Sequence, residues 1–139
     1  MLRCGKRDSH APRDSLSDPH DNVQGFGPTS MTDRYYLTIR NDLKGYASVG
    51  DDGLNYRPAK AWAFDDGTDL GSYNTQQHWL AHDDGLFLVY TRRGADNDHI
   101  MRHRAPLFLA RVDTEKLHVL RATEQVLIPE RGVALGNFG

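Results

Sequence analysis

An all-β fold is expected for this chain, and three observations predict it. Short runs alternate apolar and polar residues with the period of a strand. Turn signals recur every ten residues or so, among them Asp-Asp-Gly at 51, 65 and 83, whose unequal spacing is no strict repeat. No segment after Asp33 carries the three-to-four spacing of a helical stripe; the best candidate, Asp113 to Val119, is short and weakened by Thr and His. A sandwich, a barrel and a propeller all satisfy this pattern.

The elements follow in order. Residues 1–33 hold few large apolar side chains and are broken by Pro12, Pro19 and Pro28. Such a stretch buries too little to offset its ordering entropy, so a polar, disordered arm is expected there. Met31 could serve as an alternative start. The ordered part is expected over 34–139. Tyr35, Leu37 and Ile39 alternate with Tyr36, Thr38 and Arg40, a half-buried strand. Tyr46 to Val49 follows the Gly45 turn, and Asp51-Asp52-Gly53 closes it. Ala61 to Phe64 is a short strand ended by Asp65-Asp66-Gly67. Leu80 leads into the third such turn, Asp83-Asp84-Gly85. Leu86 to Thr91 and Leu107 to Val112 are nearly continuous in apolar residues, which predicts strands buried on both faces. Leu117 to Ala122 and Val126 to Ile128 complete the series, and Pro129 stops the last.

Composition narrows the function classes. The 139 residues carry 17 Lys+Arg against 19 Asp+Glu, a net charge of −2, which argues against a nucleic-acid partner. No apolar run reaches the length of a membrane span. The basic N-terminus is not followed by the apolar core of a signal peptide. Cys4 is the one cysteine, so no internal disulfide and no cysteine-rich metal site is expected, and its polar surroundings do not suit a catalytic thiol. His78 and His82, and His99 and His103, are spaced by four, but in strand-like or loop sequence and without a His-Glu-x-x-His pattern no metal site is expected from them; Asp96, Asp98 and His99 with backbone oxygens are the alternative cation site. No Gly-x-Ser-x-Gly elbow is present.

Tyr46-Ala-Ser-Val-Gly-Asp-Asp-Gly-Leu-Asn-Tyr56 resembles a shortened Asp-box turn, with Asp52, Gly53 and Tyr56 in place and Gly50 where Ser or Thr is usual. A longer succession runs through Thr75-Gln-Gln-His-Trp79, Leu86-Phe-Leu-Val-Tyr-Thr-Arg92 and Asn97-Asp-His-Ile-Met-Arg-His-Arg-Ala-Pro-Leu-Phe108. It continues through Ala110-Arg-Val-Asp113, Arg121-Ala-Thr-Glu124 and Leu135-Gly-Asn-Phe138. Over Tyr35 to Gly139 this resembles the bacterial exo-sialidase-like proteins with BNR repeats. The resemblance implies a six-bladed β-propeller acting on terminal acidic sugars, in proteins often secreted or periplasmic, with a glycan as ligand and no cofactor. A blade takes about 40–50 residues, so the chain supplies roughly two. Two blades would leave open faces and edges that favour self-association, and the isolated chain is expected to show no sialidase turnover.

The resemblance also points to site residues. Sialidases use a Tyr nucleophile, a carboxylic acid and arginines that clamp the substrate carboxylate. The side chains available for this include Tyr90, Arg92, Asp96, Asp98, Arg102, Arg104, Glu124 and Arg131. Tyr90 is the candidate nucleophile or a rim residue, the alternative being a packed Tyr with its hydroxyl satisfied at the edge, and Asp98 is the acid or an orienting group. Arg102 and Arg104, on one face if 102–104 is a strand, would bind an anionic group, joined by Arg92. Structural salt bridges to Asp96, Asp98 or Glu124 are the alternative for this pair. Gln77 and His78 would bind hydroxyls beside Trp79, which alternatively is core. A non-catalytic carbohydrate-binding propeller and an inactive remnant fit the same residues.

Overall fold

The computed structural model describes residues 24–26, 34–75 and 77–136. The expected polar arm, residues 1–33, lies outside them except for one short strand. The fold is all-β and antiparallel. β1 (Gln24–Phe26), β2 (Tyr35–Ile39), β3 (Tyr46–Gly50) and β4 (Lys60–Ala61) form a first sheet in sequential order. β1 falls inside the segment expected to lack regular structure, and it pairs with β2 at Gly25 and Leu37. β5 (His78–His82), β6 (Gly85–Tyr90), β7 (Leu107–Asp113) and β8 (His118–Val119) form a second sequential sheet. β9 (Gln125–Ile128) also pairs with β7. β8 runs along the end of β7 at Val112 and Asp113, while β9 covers its start from Leu107 to Leu109. A 3-10 turn over Arg121–Thr123 joins the two.

The sheets share one core. Tyr36 and Val49 from the first sheet meet Trp79, Leu86, Leu88, Tyr90, Phe108 and Ala110 from the second. Trp62 sits between them, in edge-to-face contact with Trp79 at 5.5 Å, and Trp79 meets Tyr36 at 5.8 Å in the same way. The segment after β4 is stitched to the far edge of the second sheet: Val119 donates to the Ala63 carbonyl and Asp65 to that of Val119. This connection ties the two sheets through main-chain bonds as well as packing.

Apart from the start of β7, where Leu107 and Phe108 are both buried, the two apolar runs are buried mainly on one face. Along β6, Leu86, Leu88 and Tyr90 are buried while Phe87 and Val89 are half-buried, and Arg111 of β7 is exposed. The run of apolar letters predicted two covered faces; the first sheet covers only one of them. The outer face and β9 leave Leu80, Val126, Leu127 and Ile128 exposed. The short stretch Asp113–Val119 is a turn into β8, with Asp113 accepting bonds from the main-chain N–H groups of Glu115 and Lys116.

The Asp-Gly turns form as their chemistry requires. Asp52 accepts from the N–H of Leu54 at 2.9 Å and of Asn55 at 2.7 Å, and from the Asn55 amide at 2.7 Å. The Asn55 bonds and then the Leu54 N–H hold its carboxyl down at about 2. Gly53 takes φ +74° above the ring of Tyr35, so this aromatic lies under the turn residue. Asp66 repeats the device on Thr68, with Arg121 added.

Gly45 is required for another reason. A Cβ there would stand 2.7 Å from both the Gln77 side-chain oxygen and the Ser72 hydroxyl. Both groups are buried at the junction where Gly45 donates to the Ser72 carbonyl. Gly45→Ala is therefore expected to cost about 1–3 kcal/mol through overpacking. A urea midpoint unchanged from wild type would show that Gln77 and Ser72 give way freely.

Candidate functional site

The antiparallel course of the second sheet gathers the sequence-predicted residues at one end. β5 begins there with Gln77 and His78, β6 ends there with Tyr90 and Arg92, and β7 begins there after Arg102 and Arg104. The loop of residues 91–106 closes this end. Asn97, fully buried, holds it shut by donating its amide to the carbonyls of Arg92 at 3.0 Å and Ala105 at 2.6 Å. From the first sheet, Thr38 donates to the Gln77 carbonyl, and Asn74 donates to that of Asn41. The ends of both sheets are thereby joined.

Tyr90 is not a rim residue. It is 0 % exposed. Its hydroxyl donates to Glu124 at 2.6 Å, and Arg92 grips the same carboxylate with bonds of 2.9 and 2.7 Å. The Arg92 guanidinium also lies 4.7 Å from the Phe108 ring centroid and donates to the carbonyls of Arg93 and Gly94. Burial, and then the Glu124 carboxylate, push the Tyr90 phenol well up from its ordinary value. Burial works to raise Glu124, but the bonds from Arg92 and Tyr90 prevail and hold it below the usual carboxylate range. A phenol so stabilised in its neutral form and closed to solvent is a structural member of an ion-pair network. Arg92 is likewise occupied.

The common strand face expected for Arg102 and Arg104 is not formed. Residues 101–103 make a 3-10 turn in which Arg102 and His103 have φ of 55° and 52°. The alternating letters of this stretch carry no information about pairing; among the described residues no strand pairs with it, although Leu135 donates to the Arg104 carbonyl at 3.0 Å. The salt bridges to Asp96, Asp98 or Glu124 do not form either. Among the described residues Arg93, Arg102 and Arg104 have no carboxylate within ion-pair distance, while Arg102 and Arg93 are exposed and Arg104 is half-buried. Gln77 and His78 are buried, and Gln77 donates to the Thr75 carbonyl at 3.1 Å. Trp79 is core.

Asp98 has a partner that the sequence did not disclose. Its side chain is 95 % exposed and lies 3.1 Å from His103 Nε2. The other ring nitrogen, Nδ1, is 2.6 Å from the Tyr73 hydroxyl. Arg93 lies over the Tyr73 ring at 3.6 Å from its centroid. Tyr73, His103 and Asp98 are brought together from two loops thirty residues apart. Only the short His-to-Asp spacing was visible in the letters.

Among the described residues no group of three or more His, Cys, Asp or Glu is placed to hold a metal ion, and no helix is long and apolar enough to cross a membrane. No family model matches the chain, and no similar protein was found among curated sequences or solved structures.

Proposed function

We propose that this chain recognises acidic sugars of glycans, and that its two sheets are consecutive blades of a sialidase-like propeller. The observation that carries the reading is the set of arginines at one end of the second sheet. Arg93, Arg102 and Arg104 project from a single loop and its margin without a carboxylate partner among the described residues. Guanidiniums without a carboxylate are open to an anion, and their planar forks suit a sugar carboxylate. The architecture agrees: two sheets of sequential antiparallel strands stack face to face on one core, as blades do. The exposed outer face of the second sheet, with Leu80, is where a further blade would lie.

A hydrolytic centre on a propeller axis draws groups from several blades, and a closed ring has roughly four to eight. On this reading the present residues supply recognition, and hydrolysis belongs to the complete ring. Binding without turnover is the second reading. It is favoured by Tyr90, whose phenol is closed off by Glu124 and lacks access to a substrate.

The test is a titration of the isotopically labelled chain with N-acetylneuraminic acid, followed by amide shifts, with galactose as neutral control. Saturable shifts confined to residues 92–104 are expected with the acid alone. They should disappear in the Arg102→Gln, Arg104→Gln double variant. Equal responses to both sugars, or none to either, would remove the acidic-sugar reading. Release of a fluorescent aglycone from a sialoside is expected to stay at background. Robust turnover lost in Arg104→Gln would make these two sheets a self-sufficient enzyme.

A further inference from the structure

We propose that Tyr73, His103 and Asp98 form a proton-relay site that presents an activated phenol to a small anionic ligand. The inference stands on side-chain geometry and does not depend on the sialidase-like reading.

The direction of the relay follows from valence. An ionised Asp98 can only accept, so the His103 nitrogen facing it, Nε2, carries the proton. In the neutral imidazole Nδ1 is then the acceptor, and it receives the Tyr73 hydroxyl at 2.6 Å. The arrangement is that of a reactive group, a base and a group that orients the base. When the phenol reacts, its proton passes to Nδ1. The imidazolium formed is then flanked by Asp98, which stabilises it.

Two further features point the same way. Arg93, exposed and unpaired with any described carboxylate, sits on the Tyr73 ring at 3.6 Å, where its charge favours a developing phenolate and attracts an anion. Backbone strain is concentrated around the three residues. Of the non-glycine residues with positive φ among those described, Asn74, Asp96, Arg102 and His103 flank or belong to the site, and only Leu117 lies elsewhere. Left-handed residues of this kind are strained, and folds retain them where a side chain must be aimed. Here the strain swings His103 in toward Tyr73, and their rings meet edge-on at 5.5 Å.

The test is covalent labelling of the intact chain by aryl sulfonyl fluorides, with peptide mapping by mass spectrometry. In that reaction the Tyr oxygen–sulfur bond forms, the sulfur–fluorine bond breaks, fluoride leaves and the phenolic proton goes to His103. Tyr73 should react at least ~10-fold faster than Tyr35, Tyr46 and Tyr56, and Asp98→Asn should slow it several-fold. Asp98 is exposed, so that variant keeps the fold. The carboxylate-bearing probe 4-(fluorosulfonyl)benzoate should outpace the neutral 4-(fluorosulfonyl)benzamide at Tyr73, and Arg93→Gln should erase the difference. A second measurement needs no variant: nitrogen NMR of the imidazoles should show neutral His103 protonated at Nε2. Labelling of Tyr73 no faster than of the other tyrosines, or a proton on Nδ1, overturns the relay. Equal rates for the two probes overturn the anionic ligand. No sugar enters these measurements, so they fail or succeed separately from the glycan titration.

Discussion

Trp79→Ala is expected to lower stability by about 3–5 kcal/mol, the range for truncating a large buried aromatic. Trp79 belongs to β5 but does its packing between the sheets. It meets Trp62 and Tyr36, each edge-on, within 6 Å between centroids, alongside Leu88 and Val49 of the same core. Its loss removes apolar burial and both aromatic contacts, each contact adding about 0.5–1.5 kcal/mol to plain burial. A domain of this size is stable by roughly 5–15 kcal/mol, so the variant stands near the threshold of folding. Urea unfolding followed by circular dichroism measures the change. Leu54→Ala, at a position 86 % exposed, serves as control and should shift the result by less than about 0.5 kcal/mol. A loss below about 1 kcal/mol at Trp79 would mean that the two sheets do not depend on this contact.

Removal of the Glu124 carboxylate is expected to have the next largest effect. Glu124→Ala leaves Arg92 and the buried Tyr90 hydroxyl without their shared acceptor. Breaking a fully buried pair costs about 3–5 kcal/mol, and water reaches part of this one, so about 2–4 kcal/mol is expected. Melting temperature should fall by roughly 10–20 °C. Glu124→Gln keeps the shape and part of the bonding and should lose less. The pH dependence has a definite sign. The folded state holds Glu124 below its ordinary value, with Arg92 and Tyr90 overcoming burial. Its contribution is therefore fully present above the ordinary carboxylate value of about 4.3, and is lost as pH falls through the depressed folded value. The gap in melting temperature between wild type and Glu124→Gln should be constant near neutrality and narrow in acid. A gap that widens as pH falls would contradict the network.

The local features were legible because they depend on neighbours in the chain. Alternation over Tyr35 to Ile39 marked β2, and the Asp-Gly pairs marked turns, since a carboxylate meets N–H groups two or three residues on whatever the rest of the fold does. Antiparallel strands joined in order brought Gln77, Tyr90, Arg92 and Arg104 to one end, as their places along the runs imply. What the letters left undecided was set by contacts distant in sequence. Leu86 to Tyr90 reads as apolar throughout, yet only one of its faces is covered, because coverage is a property of the partner sheet. Arg102 and Arg104 alternate like strand residues but lie in and beside a turn, because pairing requires a neighbouring edge and no described strand offers one. Tyr90 could stand at a rim or pack by its place at a strand end, and Glu124 from 34 residues away decides that it is sealed. Tyr73 and His103 meet across 30 residues through left-handed turns that no periodicity encodes. The sequence by itself determined the strand class, the turns and the stock of reactive side chains. The tertiary structure decided which of them are spent on holding the fold and which are left facing solvent, since burial and charge pairing arise only when distant segments meet.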